Sequence, residues 1–371
     1  MKIHKIEVKG FKSVASLSLE NFSPFLVFAG PNGTGKSNIT DALAFIGAVV
    51  KRGASQALRE YGGFQHIHCF KFRKEQRTTI SFFINIEIED KLYEYNLKIR
   101  NLNKTPDISE TLKINQSIII DRKTGSDTRV SLDGTGDLQS LSSYSRDMTA
   151  LMLFSDNQLY QFLTNIKVFR IDPIAAKEPD SSTTDATALD PYGKNVATML
   201  SMLEKDKDFR EQILEWIELI VPGMENVSTE KQRLDGSTVI TFKEEGTKAR
   251  FPAKLISDGT IYALCILTAV LSRAQTTGIT IIEEPERGIH PKAIGELVHL
   301  MRENSNIKHP ILLTTHSESV VRNLELNELF FVGKKDGKTH IHSAEHSGID
   351  KKEIPLDTAW LTNLFDGGLP W

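Results

Sequence analysis

An α/β fold, with a mixed sheet, covering helices and an inserted lobe, is predicted by three observations. A short continuous apolar run, Phe25-Leu26-Val27-Phe28-Ala29, is followed at once by the Gly-rich loop Gly30 to Ser37 and then by helical spacing from Asn38 to Val50. A second run, Ile279 to Ile282, ends in Glu283-Glu284-Pro285-Glu286. A third, at 310–314, leads into Thr315-His316-Ser317. Continuous apolar runs of this length, bounded by turn residues, fit parallel strands buried on both faces.

The other elements follow in order. Ile3 to Val8 alternate and Val14 to Leu19 alternate again, so residues 1–29 read as strands. Residues 78–100 alternate at Ile80, Phe82, Ile84, Ile86 and Ile88, as antiparallel strands do. Residues 101–165 are mixed, with polar loops around Asp121 to Gly136, and read as inserted. The expected division is therefore 1–100 with the Gly-rich loop, an α/β lobe over 101–176, and 177–371 with the later motifs. Residues 177–190 have linker composition, and 193–221 look helical. Residues 234–251 look like a hairpin with Asp235-Gly236 and Glu245-Gly246 as turns. Helices are expected after Ser257, near 291–304 and from Ser317, and last strands at Leu329 to Val332 and His340 to His342. There is no internal repeat and no long heptad run, so no coiled-coil arm is expected.

Composition narrows the function classes. The 371 residues are 40% hydrophobic and 25% charged, as in ordinary globular proteins. A net charge of −3 provides no global basic field toward nucleic acid, and sequence does not locate a local basic patch. The two cysteines, Cys69 and Cys265, lie in no metal-binding spacing, and Cys265 reads as a small core residue. A reducing, cytoplasmic setting is the simplest expectation. The N-terminus lacks a secretory apolar region. The longest apolar stretch, Ile261 to Leu271, falls short of the roughly 20 residues that cross a bilayer, so a membrane-spanning subunit is not expected.

Gly30 to Ser37 fits GxxxxGK[ST] in full. Glycines let successive amides turn toward one point at a helix N-terminus, forming a nest for phosphate. Asn32, Gly33, Thr34, Gly35, Lys36, Ser37 and Asn38 are the expected nucleotide-binding residues, with Lys36 reaching the terminal phosphates and Ser37 binding Mg²⁺. Carboxylates at the end of a buried strand lie beside such a loop. Glu283 is then the metal-side carboxylate, and Glu284 orients and deprotonates the attacking water. Ser257 and Gly259 begin a helix, where a Ser would serve equally as a plain cap. His316 ends the strand expected beside the acidic one, where the γ-phosphate would lie.

These segments together resemble the ABC-type ATPase head of the RecF, SMC and OLD group, and more narrowly the compact prokaryotic ATPases of antiphage defence. Phe11-Lys12-Ser13, Gly30 to Asn38, Asp190 to Ala197, Val221-Pro222-Gly223, Leu255 to Thr260, Glu283 to Pro291 and Thr315-His316-Ser317 carry the likeness over nearly the whole chain. The resemblance implies ATP and Mg²⁺ as ligands and ATP hydrolysis as the activity. It implies Glu284 as catalytic base, His316 as switch histidine, and Lys36 on the phosphates. It further implies that Ser257 and Gly259 contact the γ-phosphate of ATP bound to a second copy, so that two heads close head to tail. Position 283 is Glu where many relatives carry Asp, which makes a water-mediated metal contact plausible there. Gln65 is a candidate Q-loop residue.

The expected role is the ATPase or sensor component of a prokaryotic antiviral defence system that controls a separate nuclease or toxin effector. Only Glu318 to Trp371 follow the histidine segment, which is short for a nuclease domain. Two alternatives are kept: a RecF-like repair ATPase that binds DNA directly, and a nucleotide-gated scaffold with little turnover. Tyr144, Phe154, Tyr160 and Phe162 read as core rather than as a base-stacking surface. Asp366 to Trp371 read as a turn with an anchoring aromatic.

Overall fold

The computed structural model describes residues 1–20, 22–74, 78–102, 105–181, 188–348 and 354–362. The expected terminal turn, Asp366 to Trp371, lies outside the described residues, as does part of the expected linker, 182–187.

Strands β1 (Lys2–Phe11), β2 (Val14–Glu20) and β3 (Phe25–Ala29) open the chain, and β4 (Thr79–Ile88) through β9 follow the first helices. The latter are β5 (Lys91–Leu102), β6 (Thr105–Ile114), β7 (Ser117–Arg122), β8 (Thr128–Val130) and β9 (Gln139–Leu141). Next come β10 (Ile166–Phe169), β11 (Met224–Lys231), β12 (Thr238–Glu244) and β13 (Phe251–Pro252). The last are β14 (Ile279–Glu283), β15 (Ile311–Thr315), β16 (Leu329–Lys335) and β17 (Lys338–Ser343).

Three sheets result. An antiparallel sheet runs β2-β1-β4-β5-β6-β7-β8-β9, a second runs β10-β14-β15-β3-β16-β17, and a small one runs β11-β12-β13. In the second sheet β10, β14, β15, β3 and β16 are parallel, and β17 returns antiparallel. The mixed α/β architecture is the one expected.

The P-loop helix, Lys36–Arg52, lies between the two large sheets. Its Ile39, Leu43 and Phe45 share one core with Ile84 and Leu97 of the antiparallel sheet and with Leu26, Phe28, Ile281 and Leu312 of the parallel one. Alternate residues Val27, Ala29, Ile282 and Leu313 face the opposite way, into a core with the helices Lys207–Ile220, Asp258–Leu271 and Pro291–Glu303. Period-two alternation thus loads both faces of the parallel sheet, which is why its strands read as unbroken apolar runs. Phe162 is fully buried, and Tyr144, Phe154 and Tyr160 pack against the first core, as expected of them. Cys69 and Cys265 are buried free thiols.

The expected boundary at residue 101 needs correction. β6 pairs with β5 from Tyr93↔Ile114 to Leu102↔Thr105, so the antiparallel sheet continues through it. β10, also within 101–176, is the edge strand of the parallel sheet. The reason lies in the inward face of β6, which is Pro106, Ile108, Glu110 and Leu112 rather than a clean apolar set. Glu110 is 1% exposed. It accepts from the Tyr95 hydroxyl at 2.8 Å and from the amides of Ala150 and Leu151 at 2.6 and 3.1 Å. A buried carboxylate satisfied in this way keeps its place in the sheet while breaking the pattern read from sequence. The expected helix at 193–221 is two helices, Val196–Leu203 and Lys207–Ile220, the second capped by Asp206.

Candidate functional site: a P-loop and three strand ends

In the parallel sheet β14, β15 and β3 are neighbours, so Glu283, Thr315 and the Gly-rich loop emerge side by side. Gly30 donates its amide to the Thr315 carbonyl at 3.2 Å, tying the loop to β15. Two glycines have left-handed backbones, Gly33 at φ 81 and Gly35 at φ 105. Gly35 also has no room for a side chain: a Cβ would lie 2.0 Å from Thr339 Oγ1 and 2.6 Å from Ser13 Oγ.

The loop is braced from outside. Thr339 donates to the Thr34 carbonyl at 2.8 Å, and Lys334 donates to the Gly33 carbonyl at 3.3 Å. Asn38 donates to Ser13 Oγ at 2.7 Å, and Ser13 Oγ is 2.6 Å from Thr339 Oγ1. Phe11-Lys12-Ser13 therefore meets the loop directly, with Lys12 paired to Asp41. Among the described residues, none accepts a backbone hydrogen bond from the amides of Asn32 to Gly35. Amides left without a backbone acceptor just before a helix N-terminus fit a polyphosphate.

Lys36 is buried and donates to the carbonyls of Gly30 and Pro31, at 2.6 and 3.1 Å. Burial lowers its pKa, and the nearby Glu284, Glu286 and Glu283 partly offset that. Ser37 Oγ donates to Glu283 Oε2 at 3.2 Å, and Thr40 donates to Glu283 Oε1 at 2.5 Å. Two hard oxygen donors side by side fit Mg²⁺, which takes one or two protein oxygens and completes its shell with water and phosphate. When bound there, the metal would neutralise charge on the phosphates.

Glu284 is one of few non-glycine residues with a left-handed backbone, at φ 52. Its amide donates to the Thr314 carbonyl at 2.8 Å, and its own carbonyl accepts from the Tyr262 hydroxyl at 2.8 Å. These bonds hold a conformation that is uncommon for a side-chain-bearing residue. The Glu284 carboxylate projects to 3.3 Å from His316 Nδ1. Both side chains are partly open to solvent.

Glu286 sits behind them, buried. Its Oε1 accepts from the Thr315 hydroxyl at 2.7 Å and from the His316 amide at 3.3 Å. Burial raises its pKa, only partly countered by those bonds.

Among the described residues, the hydrogen bonds of Ser257 are local to its own helix. Ser257 is exposed and caps the helix Asp258–Leu271, accepting from the Thr260 amide at 3.2 Å. Gly259 lies against Gly288, whose carbonyl would be 2.1 Å from a Cβ at position 259. Gln65 is exposed in the short helix Phe64–Ile67, whose Ile67 carbonyl accepts from the Lys12 amide.

Three participants were not foreseen. Arg170, directly after β10, donates to Glu283 Oε1 at 2.8 Å and to Asp41 Oδ1 at 2.5 Å. Burial pulls its guanidinium down, but Glu283 and Asp41 outweigh that and hold its pKa above the usual arginine range. Arg170 is brought to the site by β10 pairing with β14, which no local pattern reveals. Tyr262 and Glu286 did carry signals: a hydroxyl within an apolar helix needs a partner, and Glu286 is the third acid of a tight cluster.

Residues 25–322 match the family described as "AAA domain, putative AbiEii toxin, Type IV TA system". The chain belongs to this AAA family. It is similar to the chromosome partition protein Smc of Methanocaldococcus jannaschii, 52% identical over 44 residues. It is also similar to that of Halothermothrix orenii, 51% identical over 47 residues. Each matched stretch is 12% of this chain and 4% of the relative.

Among solved structures, an Smc head bound to the C-winged helix domain of ScpA superposes with TM-score 0.60 at 14% identity, covering 92% of this chain and 98% of that one. A Pyrococcus furiosus Smc head with an extended coiled coil, bound to the C-terminal domain of ScpA, gives TM-score 0.55 at 15% identity, covering 93% and 97%. The AAA family member therefore has the fold of an SMC-like ATPase head. No helix among its described residues is long and apolar enough to cross a membrane.

Proposed function

We propose that the chain binds ATP with Mg²⁺ at the P-loop and hydrolyses it slowly, two copies closing head to tail over the nucleotides. The observation that carries this is the row Ser37–Glu283 and Glu284–His316 at adjacent strand ends, beside a loop whose Asn32 to Gly35 amides have no backbone acceptor among the described residues. In this reading Lys36 leaves the Gly30 and Pro31 carbonyls for the phosphates. Glu284 takes a proton from the attacking water, and His316 senses the terminal phosphate. Ser37 and Glu283 hold the metal.

The head-to-tail pair rests on the position of the signature. Ser257 is exposed, its hydroxyl bonds to Thr260 and to no P-loop residue among the described residues, and Leu255 close by is 72% exposed. An exposed apolar side chain close to an exposed serine suits a surface that a second copy covers. We further propose a role in a prokaryotic defence or toxin–antitoxin module, acting on a separate nuclease or toxin effector. The family description, which names a toxin of a type IV system, supports that setting. DNA degradation by the purified chain alone would remove the separate effector.

The experiment is the solution mass of Glu284→Gln with and without Mg-ATP. Binding survives while the water loses its base, so a nucleotide-dependent monomer-to-dimer shift is expected, with turnover reduced at least about 100-fold. Lys36→Ala should lose nucleotide binding. Wild-type turnover in Glu284→Gln would overturn the assignment of the base. Tight binding by the wild type without phosphate release would favour the scaffold alternative, and strong salt-dependent DNA binding the RecF-like one.

A further inference from the structure

β10 is an edge strand: β14 pairs with one side of it, and no strand among the described residues covers the other. On that open side the C-terminal half of the helix Lys36–Arg52 and the segment Pro191–Tyr192 leave a groove of about 430 Å3. Four cations line it, Lys51, Arg52, Lys167 and Arg170, against the single carboxylate of Glu60. Glu60 is held by Arg52 at 2.5 Å, and Arg170 is held by Asp41 and Glu283. Lys51 and Lys167 have no acidic partner within 4 Å among the described residues. Lys167 is half-buried, and its pKa is depressed by that burial and by the neighbouring Lys51, Arg273 and Arg52.

Uncompensated cations in a concave site are costly unless an anion completes them. They stand out further in a chain whose net charge is −3. Two aromatic rings flank the charges. Tyr61 rests edge-on against Phe45, and Tyr192, 47% exposed, has Lys194 Nζ over its ring at 5.7 Å from the centroid. The volume matches a nucleotide-sized ligand, and a ring beside lysines suits a base or sugar next to its phosphate.

We propose that this groove is a second anion site, separate from the P-loop, that takes a phosphate ester of nucleotide size, with Lys51 and Lys167 on the phosphate and Tyr192 on the base or sugar. Arg170 links it to the ATPase centre, because the same guanidinium lines the groove and hydrogen-bonds Glu283. A phosphate in the groove competes for Arg170 and releases Glu283 toward the metal. The shared chemistry has two sources, a free nucleotide or the terminal phosphate of a nucleic-acid strand.

The test uses the full chain with its P-loop saturated by a non-hydrolysable ATP analogue and Mg²⁺. Thymidine monophosphate, a 5′-phosphorylated thymidine tetranucleotide and unphosphorylated thymidine are titrated calorimetrically. The phosphorylated probes should bind and thymidine should not. Lys167→Glu and Lys51→Glu should each weaken the probe at least about tenfold while analogue affinity at the P-loop stays within about twofold. Lys51→Glu, on the exposed last turn of its helix, serves if Lys167→Glu does not fold. Equal binding of both phosphorylated probes assigns the site to free nucleotides, and binding of the strand alone assigns it to strand ends. Binding of neither, or binding undiminished in Lys51→Glu, overturns the proposal. So does an acidic peptide that binds where the phosphates do not. The link is read separately: bound probe should tighten Mn²⁺ at the P-loop in the wild type and not in Arg170→Gln, and unchanged Mn²⁺ affinity in the wild type removes it.

Discussion

His309 shows how one residue can be read to the level of a proton. Its Nδ1 donates to the Thr276 carbonyl at 2.8 Å, which leaves Nε2 to accept from the Thr280 hydroxyl at 2.6 Å. Thr280 Oγ1 in turn accepts from Arg273 Nε at 2.8 Å. A second proton on the ring would face that hydroxyl proton and sit near the Arg273 charge, inside a 0% exposed site. Burial first, and Arg273 second, lower the His309 pKa from the usual 6.5 to about 4. A depressed folded-state pKa means that the stability is fully present above pH 6.5 and is lost as pH falls from there toward 4. The expected loss is about 3 kcal/mol over that window. Urea unfolding of the wild type at pH 7 and pH 4.5, compared with His309→Gln, checks it: the variant should be less stable at pH 7 and lose less on acidification. An equal pH dependence in both proteins would show that other groups carry the effect.

At the scale of elements, the contact between the signature helix and the turn after β14 governs how the site is held. Gly259→Ala would place a Cβ 2.1 Å from the Gly288 carbonyl, a backbone atom that cannot rotate away. Alanine gains up to about 1 kcal/mol of helix propensity over glycine, while such overpacking costs about 1–3 kcal/mol. The net expectation is a destabilisation of about 1–2 kcal/mol, read as a lower urea midpoint with unchanged slope. A midpoint at or above that of the wild type would mean that Gly259 is not needed for this packing. The same scale shows what was legible in the sequence. β3, β14 and β15 were readable because each is buried on both faces, and the P-loop because its glycines have a local backbone reason. β16 and β17 meet at Asp336-Gly337, a two-residue turn with φ 51 and φ 74. The turns at Glu89-Asp90 and Asn115-Gln116 adopt the same left-handed backbones without a glycine to announce them. β6 was hidden by Glu110, and Arg170 by the fact that its partners come from Asp41 and Glu283, far away in sequence.

For the whole molecule, the decisive question is whether the signature acts within one copy or across two. Within one copy Ser257 does only local work, accepting from the Thr260 amide and lying 2.7 Å from the Thr260 hydroxyl. Losing that cap should cost the monomer about 1 kcal/mol. A long cation at this exposed position is tolerated by an isolated chain, whose solvent accommodates it. In a head-to-tail pair the same position faces the partner's nucleotide, where an arginine has no room. Ser257→Arg is therefore expected to bind nucleotide at its own P-loop with wild-type affinity, and to stay monomeric when combined with Glu284→Gln and Mg-ATP. Light scattering reads the mass, a fluorescent ATP analogue reads the P-loop, and urea unfolding of the nucleotide-free monomer isolates the cap. Loss of the dimer with retained nucleotide and only the small loss from the cap places Ser257 across the interface. A dimer that forms as in Glu284→Gln alone would leave Ser257 as a helix cap, and the association of this ATPase head would have to be built from another surface.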